Sequence, residues 1–211
     1  ALVGLLNAFW ESKGVANAEE FRQFSAPVVP LARFSKAVYK NNEQFTADIE
    51  IANYSSEEIN NKNIKWALTN AFGQPLQEGI IPLTNIKIGG GNIAGKISCS
   101  LSEVKKAERL TLRVSIENSS YKNTWNIWVY PATLTIEKEE IVVTDKLTET
   151  QKALAAGKTV LFNPPYQLCA GLQGKFVPVF WSPVHFPKQA GTMGLLLDPT
   201  HKAFAHFPTE G

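Results

Sequence analysis

Three histidines, two cysteines and the carboxylates among 19 Asp and Glu are the side chains of this 211-residue sequence whose types could best serve proton transfer, metal binding or nucleophilic attack. His201 and His206 are five positions apart. That misses the i,i+4 step that places two imidazoles on one helical face, and no acidic cluster completes a metal set with them or with His185. The three read as ordinary loop histidines. Cys169 and His185 have the residue types of a thiolate–imidazole pair, but Cys169 stands among apolar neighbours and nothing nearby would lower its pKa. Cys99 and Cys169 could bridge two parts of the chain; two free buried thiols fit their wide separation better, and the redox compartment stays open.

Paired carboxylates would point to glycosidic cleavage, which uses two of them. Asp48 and Glu50 share one strand face and lie too close together for that role, while Glu137, Glu139 and Glu140 form a linker-like charge run; both groups read as solvated surface. Gly157-Lys158-Thr159 resembles the end of a phosphate-binding loop, but Lys152 occupies the place of the required glycine. The segment also follows a helix and precedes a strand, the reverse of a phosphate cradle. Gly89-Gly90-Gly91 lacks a following helix and reads as a turn. The glycosylation-type triplets Asn53-Tyr54-Ser55 and Asn118-Ser119-Ser120 arise often by chance and add little. The aromatics are harder to set aside: Phe9 and Trp10 follow a strand end directly, where an exposed tryptophan could stack on a sugar ring or seal a junction between domains.

The elements that must position these residues are mostly strands. Thr124 through Tyr130, stopped by Pro131, alternates large apolar and smaller groups with period two and reads as a strand with one face on a core. Trp125, Ile127 and Val129 share one face; Trp128 and Tyr130 share the other. Upstream, Phe45, Ala47, Ile49 and Ile51 alternate with Gln44, Thr46, Asp48 and Glu50. Lys65 to Thr69, closed by the turn Asn70-Ala71-Phe72-Gly73, is another strand. Gln77 to Ile88, interrupted by Pro82, suggests a strand at an edge or with a bulge, and Gly89 to Asn92 a turn leading to Ile93–Cys99. Leu110 to Ile116 alternates cleanly. Some seven short strands in about a hundred residues point to an immunoglobulin-like β-sandwich.

On either side the pattern differs. Leu2 to Leu6 reads as a strand, and Asn17 as the cap of a short helix over Ala18–Phe24, with Glu19 and Glu20 in the turn the helix dipole favours. Beyond Pro131, the strand Ile141–Thr144, a helix from Thr148 to Ala156 capped by Thr148 and stopped by Gly157, and the strand Thr159–Phe162 make a βαβ unit with a small parallel sheet. Short apolar runs follow at Phe176–Trp181 and Gly194–Leu197. The fold class is therefore mostly β, an immunoglobulin-like β-sandwich followed by a small α/β module.

Composition agrees with a globular chain: 44% hydrophobic, 19% charged, net charge +2. Lys and Arg are scattered, without the dense cluster a nucleic acid partner requires, and no apolar run is long enough to cross a bilayer. No metal and no cofactor is implied. The run Ala1-Leu2-Val3-Gly4-Leu5-Leu6 at the start and Thr209-Glu210-Gly211 at the end, with no capping element, read as a piece of something longer.

Phe9-Trp10-Glu11-Ser12-Lys13-Gly14, Glu19-Glu20-Phe21-Arg22-Gln23-Phe24, Pro27-Val28-Val29-Pro30-Leu31 and Trp125 through Pro131 together resemble the C-terminal half of bacterial, Bacteroidetes-type glycoside hydrolase family 2-like proteins, relatives of β-galactosidase and β-glucuronidase. Gly191 through Pro199 and His206-Phe207-Pro208-Thr209 resemble the module that follows in such proteins. The resemblance implies residues 1–26 as the end of a catalytic TIM barrel (last strand, exit loop, short helix), 27–134 as the sandwich and 135–211 as the α/β module. It places Trp10, with Asn7 beside it, where a tryptophan after the last barrel strand lines the sugar site. The catalytic glutamates belong to earlier strands, so this chain carries no catalytic residue and is expected to be inactive alone. A non-catalytic accessory region partnering a barrel of the same parent, with carbohydrate as ligand and a periplasmic or secreted location, is the reading this supports. A stand-alone carbohydrate-binding module and a structural or interaction sandwich of a cell-surface protein are the alternatives.

Overall fold

A computed structural model describes residues 4–133, 141–170 and 197–208. Period-two alternation builds most of it. In β3 (Gln44–Asn53) Phe45, Ala47, Ile49 and Ile51 are buried while Gln44, Thr46 and Asp48 face solvent, because successive strand side chains point to opposite faces. The same rule buries Leu110, Leu112, Val114 and Ile116 in β7 (Glu108–Ile116) and Ile127 and Val129 in β8 (Lys122–Tyr130). With β1 (Val28–Arg33), β2 (Val38–Lys40), β4 (Ile59–Thr69), β5 (Pro75–Ile86) and β6 (Gly89–Ser100) these make two sheets, β1-β3-β6 and β2-β8-β7-β4-β5. Every pairing is antiparallel except β2 with β8. Both sheets contribute to one core, so the expected immunoglobulin-like β-sandwich is present, with eight strands in place of seven.

Three boundaries differ from the sequence pattern. Gly89–Asn92 is not a turn but the start of β6; the chain reverses at Lys87 and Ile88. The glycines suit an irregular ladder, in which Asn53 faces Gly89 and Ile51 faces Asn92. Gly89 and Gly91 take φ of 119° and 72°, and the Asn92 amide donates to the carbonyls of Ile51, Lys87 and Gly89. β4 begins at Ile59, upstream of Lys65, since the polar run Asn60–Asn63 gives no apolar alternation. β5 runs unbroken through Pro82, which is tolerated because β5 is an edge strand.

Two buried asparagines stitch the sandwich. Asn53 donates to the carbonyls of Glu57 and Ile86, at 2.9 and 3.4 Å. Asn123 on β8 donates to the Pro30 carbonyl of β1 at 3.0 Å, joining one sheet to the other. On the outer face of the larger sheet, Phe207 sets its ring beside Tyr130, centroids 5.9 Å apart.

Helix α1 (Ala18–Phe24) starts at Asn17 with a capping box: the Asn17 side chain accepts from the Glu20 amide, and the Glu20 carboxylate accepts from the Asn17 amide. It buries no residue. Polar contacts hold it to β8 instead: Lys122 pairs with Glu19, and Thr124 Oγ1 donates to Gln23 Oε1 at 2.8 Å. Of the strand expected at Leu2–Leu6, the residues from Gly4 onward are described, and Leu6 makes a single bridge to Ser12.

The chain divides into two compact units, Ala1–Ala132 with Leu196–Gly211, and Thr133–Leu195. In the second, β9 (Ile141–Thr144) and β10 (Thr159–Phe162) pair in parallel around α2 (Leu147–Ala155), as the βαβ pattern requires. Thr148 is not the cap. The N-cap is Lys146, without a side-chain cap bond, while Thr144 Oγ1 donates to Glu149 and accepts from the Lys146 amide. Gly157 does stop the helix, at φ 71°, with its amide on the Leu154 carbonyl and that of Lys158 on Ala153, a Schellman motif. The apolar run Phe176–Trp181 lies outside the described residues, as does Gly194–Leu197 up to Leu197.

Candidate functional site

Asn7 and Trp10 lie in one tight hairpin turn, and Asn7 organises it. Its side-chain oxygen accepts from the amides of Phe9 and Glu11 at 2.8 and 3.0 Å, and its amide donates to the Glu11 carboxylate at 2.7 Å. The backbone closes around this: the Asn7 amide donates to the Glu11 carbonyl, the Trp10 amide to the Asn7 carbonyl, and the Lys13 amide to the Leu5 carbonyl. Such an Asx-type turn needs a short amide or carboxylate side chain at its first position. Its fourth residue takes left-handed backbone angles, the place where three-residue hairpin loops favour glycine.

Trp10 occupies that place, at φ 65°. Its side chain is 84% exposed and that of its neighbour Phe9 81%. Two large rings therefore stand in solvent on a backbone held by five hydrogen bonds within Asn7–Glu11. The arrangement can offer flat apolar surface to a ligand with little rearrangement of the main chain, and the carboxylate in the turn, Glu11, accepts from the Asn7 side chain.

The same turn recurs between β4 and β5. Asn70 Oδ1 accepts from the amides of Phe72 and Gln74, its Nδ2 donates to Gln74 Oε1, and the Asn70 and Gly73 amides close onto the Gln74 and Asn70 carbonyls. Gly73 takes φ 77°, and Phe72 is 86% exposed. The signal was available in the sequence as the repeated tripeptide Asn-Ala-Phe, followed by Trp-Glu in one copy and Gly-Gln in the other.

The other candidates sort by their partners. Asp48 faces Lys96 at 3.9 Å and Glu50 faces Arg33 at 3.3 Å across neighbouring strands, so both carboxylates sit on a cross-strand charged surface. Glu137, Glu139, Glu140 and His185 lie outside the described residues; His201 and His206 are exposed near a 3₁₀ turn at Lys202–Phe204. Both cysteines are free, but only Cys99 is buried; Cys169 is exposed. Burial pushes the Cys99 thiol up to about 11, which suits an inert core thiol. Asn53 is wholly buried, so its side-chain amide is closed to modification in the folded chain, whereas Asn118 sits exposed at φ 54° in the β7–β8 turn.

Sequence reasoning missed a group of cations on the outer face of the larger sheet. Arg22 from α1, Lys65 from β4, Arg113 from β7 and Lys122 from β8 line one cleft of about 650 Å³. They are far apart in sequence; the β4-β7-β8 ladder brings Lys65, Arg113 and Lys122 together, and the attachment of α1 to β8 adds Arg22.

Fold and site define a class: an immunoglobulin-like β-sandwich followed by a small α/β unit, with an aromatic turn at its N-terminal side. A family model described as a domain of unknown function (DUF8488) matches residues 43–131, and another so described (DUF8487) matches residues 142–211. No curated protein matches the sequence. Solved structures with similar parts include the CARDB domain of a Pyrococcus furiosus protein in complex with di-metal ions, at 6% identity and TM-score 0.37, over 49% of this chain and 93% of that one. A Parabacteroides merdae β-glucuronidase is similar at 12% identity and TM-score 0.32, over 48% of this chain but only 13% of its own length. A DUF3823 family protein from Bacteroides ovatus is similar at 16% identity and TM-score 0.32, over 49% and 54%.

Proposed function

We propose that the chain is a non-catalytic accessory region of a family 2-like glycoside hydrolase, supporting a catalytic barrel and shaping carbohydrate access. In this reading residues 1–26 close the barrel, 27–134 form the sandwich, 135–211 form the α/β module, and the parent acts in the periplasm or outside the cell. The observation that carries it is Trp10: an exposed tryptophan held at left-handed backbone angles by Asn7. Strain of that kind persists where the surroundings over-determine it, and it concentrates at binding sites. The blocks around Trp10 that resemble the family 2-like proteins supply the second support, and the polar attachment of α1 to β8 gives a barrel a fixed point of contact on the sandwich.

Trp10→Ala in the full-length parent tests this. Loss of the ring should lower kcat/KM about tenfold on the parent's glycoside, the scale of one aromatic contact, with the unfolding temperature unchanged. Unaltered kinetics, or a parent reading frame without a barrel bearing paired glutamates, defeats the reading. Tight binding of a neutral oligosaccharide by the isolated chain would favour a stand-alone carbohydrate-binding module instead.

A further inference from the structure

The cationic cleft lies apart from the Trp10 turn and has no part in the reading above. It opens between α1 and the outer face of the larger sheet, beside Gln23 and Ser115, and shares Lys65, Arg113 and Ser115 with a second cleft of about 450 Å³ that continues past Glu78 and Ile80 of β5. Together they cross β8, β7, β4 and β5, about 15 Å at the usual strand spacing.

The charges in the first cleft do not cancel. Four cations, Arg22, Lys65, Arg113 and Lys122, meet two carboxylates, Glu19 and Glu117. Both carboxylates are already taken: Glu19 by Lys122, and Glu117 by Lys65 and by the Asn63 amide, each at 2.8 Å. Arg22 and Arg113 make no hydrogen bond or ion pair with any described residue and remain exposed. The hydrogen bonds from Lys122 and Lys65 hold Glu19 and Glu117 below the usual carboxylate range, and the charge of Arg113 adds to the effect on Glu19. The first cleft therefore presents two planar guanidinium forks with both of its carboxylates engaged, and the second adds one carboxylate, Glu78 of β5, at its far side. Guanidinium binds carboxylate or sulfate in a bidentate way that ammonium cannot.

We propose that this groove binds the anionic groups of an acidic oligosaccharide, with Arg113 and Arg22 taking its carboxylates or sulfates. A polynucleotide would need a denser basic face than a chain of net charge +2 supplies. An extended peptide would pair with a sheet edge, whereas this groove runs across strand faces whose backbone groups are already paired. What lines it, besides the cations, are the side chains of Gln23, Asn118, Ser120 and Tyr121, which suit a hydroxyl-rich ligand, while the hydroxyls of Ser115 and Ser119 already donate to the carbonyls of Lys65 and Ile116. The site stands whether or not Trp10 contacts sugar.

The test is calorimetric titration of the whole chain at low salt with a short oligogalacturonate, its fully methyl-esterified counterpart, a sulfated oligosaccharide and a polyglutamate peptide. Binding of the carboxylated or the sulfated oligosaccharide is expected, the stronger of the two identifying the group preferred. Affinity should fall about tenfold in Arg113→Ala, further in the Arg22→Ala/Arg113→Ala double variant, and only partly recover in Arg113→Lys. Added salt should weaken it, and Trp10→Ala should leave it unchanged. Because both arginines are exposed and make no hydrogen bond or ion pair with the described residues, the variants should keep the native unfolding temperature. The proposal is overturned by absence of binding, by equal binding of the esterified oligomer, or by an affinity the double variant leaves intact. Polyglutamate binding as tightly, with the same arginine dependence, overturns the assignment to carbohydrate.

Discussion

Trp10 and Gly73 hold the same backbone position in two copies of one turn, at φ 65° and 77°. Each follows an Asn-Ala-Phe tripeptide whose asparagine accepts the same two amides, and each turn ends on a Glu or Gln that accepts the asparagine's own amide. Glycine is what this position favours; a Cβ there costs about 1–2 kcal/mol. The copy between β4 and β5 follows the rule and the copy at the N-terminal side departs from it, with the largest side chain available. Trp10→Gly should therefore stabilise its own hairpin by about 1 kcal/mol, read as slower hydrogen exchange at the Glu11 and Lys13 amides. Gly73→Ala should loosen the second turn by a similar amount. If exchange in Trp10→Gly is unchanged or faster, the tryptophan is not strained and the argument from strain to binding fails.

Asn53 predicts a different loss. Its side chain satisfies two carbonyls and accepts from the Ser55 amide and hydroxyl, at 3.2 and 2.6 Å, with no exposed surface. Asn53→Ala leaves the carbonyls of Glu57 and Ile86 short of a donor and should lower stability by about 2–3 kcal/mol, measured by urea unfolding with an unchanged m-value. A loss under about 0.5 kcal/mol would mean the end of β3 relaxes without it.

Cys99 links burial to alkaline stability. Desolvation alone raises its pKa, from 9.0 to about 11. A raised folded-state pKa means stability that is full below pH 9 and lost as pH climbs toward 11, of order 2 kcal/mol in all. Cys99→Ser should flatten that alkaline decline. Thiol reagents at pH 8 should modify the exposed Cys169 and reach Cys99 only on unfolding; equal rates at both would contradict the buried assignment.

Strand alternation made the sandwich readable, because Phe45–Ile51 and Leu110–Ile116 each have one face on the core and one in water. What stayed hidden followed from the same physics. Asn60–Asn63 carry no apolar period, so alternation marks β4 only from Lys65, and the Gly89–Asn92 start of β6 has the composition of a turn because glycine favours both turns and irregular ladders. For the sites, Trp10 could be found from its neighbours in sequence, since the whole turn spans Asn7–Glu11. The cationic cleft could not. Arg22, Lys65, Arg113 and Lys122 come from four elements, and their proximity depends on the register that sets Lys65 opposite Ser115 and Ser115 opposite Lys122.

The pair Glu19–Lys122 makes the attachment of α1 sensitive to acid. The Lys122 hydrogen bond is the main cause that holds the Glu19 carboxyl below its ordinary 4.5, followed by the charges of Lys122 and Arg113. A carboxylate with a depressed folded-state pKa contributes stability above its ordinary pKa and loses that contribution as pH falls through the depressed value. Since α1 buries nothing and, among the described residues, its other side-chain hydrogen bond to β8 is the neutral one from Thr124 to Gln23, its docking should weaken below about pH 4 while the sandwich core stays folded. Hydrogen exchange or limited proteolysis at pH 3 and pH 6, after correction for intrinsic rates, reads this directly: amides of α1 should lose protection at pH 3 and those of β3 and β7 should not. Glu19→Gln should bring the same loosening at pH 6, and high salt should mimic it in part, because the pair is exposed and open to screening. Protection of α1 that is insensitive to pH, to salt and to Glu19→Gln would show that the Thr124–Gln23 bond alone is enough to hold the helix on β8.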